Sequence, residues 1–223
     1  MIEPKFKIGQ TVYGQSDWFA GSYMPDCYTI RRNEIAMING KEVVLCYVKH
    51  RRIPMLEDML FPTEEEAQMQ EVRRFRDNTE KILGLIKEQL ENEGIDDKEQ
   101  ALLENADSLD ASHRFSVGDV AYGHMDGYGY EYKPEKFVIT SCDVEVNHGI
   151  EHNIYKVKGH GGRFAYEEYL YPTYKEALIA DLNRFKATLK GEVKSIETRA
   201  KSLGIENQVK ALLLSRNGVK MLE

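Results

Sequence analysis

The sequence predicts an α+β protein built as a tandem duplication: a small β-barrel, a long helix and a short helix, written twice. Three observations predict it. "LFPTEEEA" (Leu60 to Ala67) returns as "LYPTYKEA" (Leu170 to Ala177), 110 positions on. "FKIGQTVYG" (Phe6 to Gly14) returns as "FSVGDVAYG" (Phe115 to Gly123), 109 positions on. Between and beyond these, Tyr28-Thr29-Ile30 matches Phe137-Val138-Ile139, Arg74-Phe75 matches Arg184-Phe185, and Gly94-Ile95 matches Gly204-Ile205. Order and phase hold along each copy, which is the mark of an internal repeat. The predicted organisation is barrel 1–62, helices 63–110, barrel 111–172 and helices 173–223.

Each element has its reason. In the first copy "TVYG", "CYTIRR", "EIAMI" and "EVVLCYV" cluster β-branched and aromatic residues between turn signals, as strands do. Asn39-Gly40 separates two of them and predicts a hairpin turn. Asn147-His148-Gly149 is its counterpart. Five short strands in so few residues predict a small closed barrel.

The repeated octapeptide marks the passage from strand to helix. Thr63 with Glu66, and Thr173 with Glu176, form Thr-x-x-Glu capping boxes. Proline at 62 and 172 holds the preceding residue extended. Apolar positions of the pattern then fall at Val72, Phe75, Thr79, Ile82, Ile86 and Leu90, and at Leu178, Leu182, Phe185, Leu189, Val193, Ile196, Ala200 and Leu203. That spacing is near 3.5 residues and predicts long helices with a coiled-coil-like stripe. Gly94 and Gly204 end them. Asp96 with Glu99 predicts a short second helix carrying Ala101 to Leu103.

Residues 63–110 carry 6 basic against 15 acidic side chains, net −9; residues 173–223 carry 10 against 6, net +4. Opposite charge and matching stripes predict that the two long helices pair, within one chain or across a homodimer. Phe75, Ile82 and Ile86 are expected against Phe185, Leu189, Val193 or Ile196.

"F-x-[IV]-G" leading into "VYG" or "AYG", with the length of the strand region, resembles the SH3-like small barrels. That group includes SH3, Tudor and KOW domains. The resemblance covers about half of each copy, excludes the helices and implies a barrel with a ligand-lining loop after its first strand. With "LFPTEEEA" at its end, the pattern also resembles uncharacterised small proteins of bacteria and their phages.

The chain as a whole excludes several function classes. Net charge is −7, which disfavours nucleic acid and anionic membrane as partners of the whole chain. No apolar run reaches 18 residues, and the start lacks a signal-peptide stretch, so a cytoplasmic location is expected, in a bacterium or in the host of a phage. Cys27, Cys46 and Cys142 form no CxxC pair.

Candidate chemistry is sparse. "HGIEH" (His148 to His152) matches the letters of an inverted zinc-protease motif, but that motif needs a helix and these residues sit at a predicted hairpin turn. "GHGGRF" lacks the Gly-Lys-Ser/Thr of a phosphate loop. Glu57-Asp58 and Glu167-Glu168 recur, but adjacent carboxylates on a strand face opposite ways. No catalytic residue, metal site or cofactor is predicted, and the protein is expected not to be an enzyme.

The segment after the first strand is the expected contact. It places Trp18, Phe19 and Tyr23 in one copy, and Tyr128, Tyr130 and Tyr132 in the other, among glycines. Aromatic side chains there would bind a protein partner. The expected function is thus that of a protein-binding adaptor or inhibitor, phage or mobile-element encoded, acting on a bacterial complex. The alternative is a nucleic-acid-associated protein using Arg31, Arg32, Lys49, Arg51 and Arg52, the basic cluster of the first barrel.

Overall fold

The computed structural model describes residues 2–15, 23–95, 115–124, 133–158 and 164–214. It is α+β, with two five-stranded antiparallel sheets and three helices among the described residues. The chain divides into a first unit, residues 1–80 with 189–223, and a second unit, residues 81–188.

In the first unit β1 (Thr11–Gln15), β2 (Pro25–Ile38), β3 (Lys41–Val48), β4 (Met55–Leu56) and β5 (Leu60–Phe61) form a sheet of order β4-β3-β2-β1-β5. "CYTIRR" and "EIAMI", expected as two strands, are one long strand. A bulge joins them: Ile30 pairs with Val48 and Arg32 with Tyr47, leaving Arg31 as the extra residue. Asn39 and Gly40 both adopt positive φ, the geometry of the two-residue turn that the Asn-Gly pair favours. The core is Phe6, Val12, Ile30, Val44, Cys46, Val48, Met55 and Leu60.

In the second unit β6 (Val120–Gly123), β7 (Glu135–Asn147), β8 (Ile150–Val157), β9 (Phe164–Tyr166) and β10 (Leu170–Tyr171) take the order β10-β6-β7-β8-β9. Read from the other edge, this is the order of the first sheet. The bulge lies at the matching place, between Ile139 and Ser141. The turn here is His148-Gly149, both at positive φ, so Asn147 closes the hairpin rather than turning it. The core is Phe115, Ala121, Phe137, Ile139, Tyr155, Val157, Ala165 and Leu170.

Two core positions trade volume between the units. Cys46 pairs with Met55 across β3 and β4, whereas Tyr155 pairs with Ala165 across β8 and β9. A small residue beside a long one is replaced by a large ring beside a methyl group. All four are buried.

The recurrent carboxylates are not on a strand. Each pair opens a single 3-10 turn, Glu57–Met59 and Glu167–Tyr169. Within each pair the first is buried and the second exposed. Glu57 accepts the Lys5 backbone N–H at 2.6 Å. Glu167 accepts from Asn153 Nδ2 at 2.6 Å and from the Tyr155 hydroxyl at 3.0 Å. They are structural acceptors, as buried carboxylates must be. Strands β1 and β6 pass so close to these turns that glycine is required: a Cβ on Gly14 would lie 2.8 Å from the Met59 carbonyl oxygen, and one on Gly123 only 1.8 Å from that of Tyr169.

Helix α1 (Glu64–Asn92) follows β5 and helix α2 (Tyr174–Leu203) follows β10; α3 (Glu206–Leu214) comes last. Thr63 Oγ1 accepts from the Glu66 N–H at 3.3 Å, and Thr173 Oγ1 from the Glu176 N–H at 3.2 Å. Glu176 closes its box by accepting the Thr173 N–H at 3.1 Å. At the far ends Gly94 and Gly204 take positive φ, and Ile95 and Ile205 donate back to Leu90 and Ala200. These are Schellman closures. The short helix expected at 96–103 lies outside the described residues.

Most of each stripe is buried: Val72, Phe75, Ile86 and Leu90 in α1; Leu178, Leu182, Phe185, Leu189, Ile196 and Ala200 in α2. Ile82, Val193 and Leu203 are half-buried. Within the first unit Arg199 forms an ion pair with Glu64. Within the second, the Tyr174 hydroxyl donates to Gln89 Oε1 at 3.5 Å.

Candidate functional site

Five of the six aromatic residues expected to make the contact, Trp18, Phe19, Tyr128, Tyr130 and Tyr132, lie outside the described residues. Tyr23 is described and half-buried. Its ring meets Phe75 of α1 edge to face at 4.9 Å, and the Arg74 guanidinium lies over it at 4.9 Å. Its carbonyl accepts from the buried Gln68 at 3.1 Å, and its hydroxyl lies 3.5 Å from Asn78 Nδ2. The end of the first aromatic segment is therefore fastened along α1. Beneath it, burial pushes the Glu71 carboxyl up, an effect opposed by the Arg74 charge that pairs with it.

The second aromatic segment begins at His124, which is buried. His124 Nε2 lies 2.7 Å from Asp181 Oδ2, and Asp181 Oδ1 accepts from Arg184 at 2.8 Å. Arg184 in turn lies over Tyr169, 5.3 Å from its centroid. Gln15 stands 109 positions before His124, and Glu71 and Arg74 stand 110 before Asp181 and Arg184. Residues 57 apart make this contact, so no local pattern announces it.

The basic residues are distributed around β2 and β3. Arg31, Arg32, Lys49 and Arg52 are exposed and Arg51 is half-buried. Arg32 is engaged locally, with Glu34 at 2.9 Å and over the Tyr47 ring at 4.0 Å. Arg51 lies 6.0 Å from the Tyr28 centroid.

The histidines of "HGIEH" stand on a hairpin, with His148 in the turn and His152 in β8, where its ring meets Tyr166. Among the described residues no group of three His, Cys, Asp or Glu side chains is placed to hold a metal ion.

A surface that the sequence reading did not single out is the exposed apolar face of each long hairpin. In β2, Ile35 and Met37 are exposed, with Ile8 exposed on the segment before β1. In β7, Val144 and Val146 are exposed, with Val117 before β6. Met37, Val117 and Val146 each keep about two thirds of their surface, at 65%, 66% and 66%. The pairs Ile8 and Val117, Ile35 and Val144, Met37 and Val146 are all 109 apart. Alternation in "EIAMI" and "DVEV" signals a strand with one apolar face. It does not say whether that face meets a core, and here it does not. In the second unit the strip borders an open groove of about 570 Å³, lined by Phe115, Ser116, Val117, Cys142, Asp143 and Val144.

Among the described residues no helix is long and apolar enough to cross a membrane. No protein-family model, curated protein or solved structure matches the chain.

Proposed function

We propose that this is a non-enzymatic protein-binding module, acting as an adaptor or inhibitor of a partner complex. One observation carries the reading: the exposed apolar strips of Ile8, Ile35 and Met37, and of Val117, Val144 and Val146, recur at equivalent positions in both units. Exposed apolar side chains grouped on a strand face are a feature of interaction surfaces. Two such strips in one chain give two contacts, and linked contacts gain avidity over either alone. The aromatic segments of Trp18, Phe19 and Tyr23, and of Tyr128, Tyr130 and Tyr132, would extend the contact beyond the strips.

The scaffold in this proposal is a tandem duplication of an SH3-like barrel, with α1 and α2 pairing antiparallel in coiled-coil fashion. The matching strand orders, bulges and capping boxes support the duplication. The contacts of Glu64 with Arg199 and of Gln89 with Tyr174 support the pairing, because they join the start of each helix to the end of the other.

The test is affinity capture from lysate with the intact chain and with a Met37→Asp/Val146→Asp variant, after nuclease treatment. The expected result is a partner protein retained by the native chain and lost by the variant. Equal retention, or retention that disappears with nuclease, would overturn the proposal. In the second case the basic residues Arg31, Arg32, Lys49, Arg51 and Arg52 become the site.

A further inference from the structure

We propose that the edge of β7 that no described strand covers receives an extended segment of a protein partner, one that alternates apolar with basic residues and adds a strand to the second sheet. This deepens the protein-binding reading and rests on it.

The backbone supplies the first argument. His148-Gly149 is a two-residue turn, so Asn147 and Ile150 form a hydrogen-bonded pair. Hydrogen-bonded pairs then alternate along the ribbon: residues 145, 143 and 141 turn their N–H and C=O groups toward β8. Cys142, Val144 and Val146 turn theirs away. Strand β6 pairs with β7 only from Glu135 to Val138, and Gly118 and Asp119 bond Ile139. Past that point no strand among the described residues covers the edge. Alternate backbone groups on an uncovered edge are the template for strand addition.

The side chains supply the second. Val144 and Val146 are exposed on one face, and the open groove with Phe115 and Val117 lies beside them. An added strand would lay every second side chain onto this apolar surface. Its other side chains would fall on the face of Asp143 and Glu145.

Charge selects the occupant. Residues 115–119 and 141–151, which bound the groove and edge, hold Asp119, Asp143, Glu145 and Glu151 and no Lys or Arg, net −4. The matching segments of the first unit, 6–10 and 32–42, hold Lys7, Arg32 and Lys41 against Glu34 and Glu42, net +1. A second copy of the same acidic edge would meet it with like charge, so self-pairing of β7 is disfavoured. A strand with lysine or arginine at alternate positions meets opposite charge. The first unit has the same ribbon without that charge, which makes it an internal control.

The probe is fluorescein-labelled Gly-Val-Lys-Val-Lys-Val-Gly, acetylated and amidated, added to the full chain and followed by anisotropy. Comparison peptides replace both lysines by glutamate, or carry N-methyl groups on the valine amides. The proposal expects the lysine peptide to bind at least about tenfold more tightly than the glutamate peptide, a difference of about 1.4 kcal/mol. It expects N-methylation to abolish binding. Amide resonances of 142, 144 and 146 should shift, and those of 33, 35 and 37 should not. In the surface variant Asp143→Lys/Glu145→Lys the preference should reverse toward the glutamate peptide.

Equal binding of both charges, unimpaired binding of the N-methylated peptide, or shifts confined elsewhere would each overturn strand addition at β7. So would a concentration-dependent dimer, seen by sedimentation, that Val144→Lys dissociates, since the occupant would then be a second copy. If the peptide series fails while the Met37→Asp/Val146→Asp chain still loses its captured partner, protein binding stands and strand addition falls. If both fail, both readings fall.

Discussion

Exchanging the volume pair of one core for that of the other should reveal a strong coupling. Tyr155 is 0% exposed and packs edge to face on Phe115 at 5.7 Å, with its hydroxyl on Glu167. Tyr155→Cys removes the ring and leaves Glu167 with one side-chain donor the fewer. The cavity and the lost bond should cost about 3–5 kcal/mol. Ala165→Met alone drives a long side chain against an intact ring and should cost about 1–3 kcal/mol by overpacking. Together they recreate the Cys46 and Met55 arrangement of the first unit, so methionine fills the space that the ring vacates. The double variant should be more stable than the sum of the singles by about 1–3 kcal/mol. Urea unfolding followed by circular dichroism measures all four chains. Additivity within about 0.5 kcal/mol would show that the two positions do not share one space, and that the volume exchange is incidental.

Three other predictions use different forces. Gly123→Ala should destabilise by about 3–5 kcal/mol, because a Cβ would strike the Tyr169 carbonyl, whereas Gly40→Ala, which meets no neighbour but holds positive φ, should cost about 1 kcal/mol; similar losses in thermal unfolding would refute the steric account. Burial, aided by the Glu57 charge, pushes the Cys46 thiol up to about 11, and burial with the Glu167 bond pushes the Tyr155 hydroxyl up to about 12. Both groups are held neutral in the folded state, so stability is full below pH 9 and falls as pH rises toward 11–12, by about 1.4 kcal/mol per pH unit for each group in its window. Denaturation midpoints that stay level from pH 8.5 to 11 would contradict this, and iodoacetamide should label Cys27 and Cys142 well before Cys46. His124→Ala removes the imidazole and leaves buried Asp181 with Arg184 alone among these partners, at an expected cost of about 1–3 kcal/mol; an unchanged midpoint would mean the His124 contact contributes nothing.

The parts of the fold that were legible in the sequence are those set by short-range rules. Thr63 and Thr173 cap helices because their hydroxyls lie three residues from a backbone N–H that has no other partner. Asn39-Gly40 turns because both residues tolerate positive φ. Gly94 and Gly204 close helices for the same reason. The bulge at Arg31 was not legible: "CYTIRR" and "EIAMI" read as separate strands because an arginine pair interrupts the apolar alternation, and only the partner strand shows that the chain continues. The burial of Glu57 and Glu167 was not legible for a related reason: it depends on donors as far away as Lys5 and Asn153. The apolar strips were visible as alternation, but exposure is a property of what fails to cover them.

The two units within one chain allow a comparison that neither permits alone. Positions that match, such as Phe6 with Phe115, Ile30 with Ile139 and Leu60 with Leu170, are core residues of their units. The same fold therefore tolerates little change there. Among the positions that differ, two groups stand out. One is the root of the aromatic segments, where Gln15 stands in place of His124 while Glu71 and Arg74 keep the pair made by Asp181 and Arg184, and where buried Gln68 holds Tyr23 while Leu178 stands at its equivalent. The other is the hairpin edge, where Arg32 and Lys41 in one unit are replaced by Ser141 and Ile150 in the other. Neither change is needed to build a strand or a helix, because both units build them. A core swap such as Cys46 with Met55 for Tyr155 with Ala165 keeps volume constant; the edge changes keep nothing constant, and they convert a mixed-charge surface into an acidic one. Stability alone gives no reason for that conversion. The protein-binding proposal does supply one, since it has each unit recognise an unlike segment.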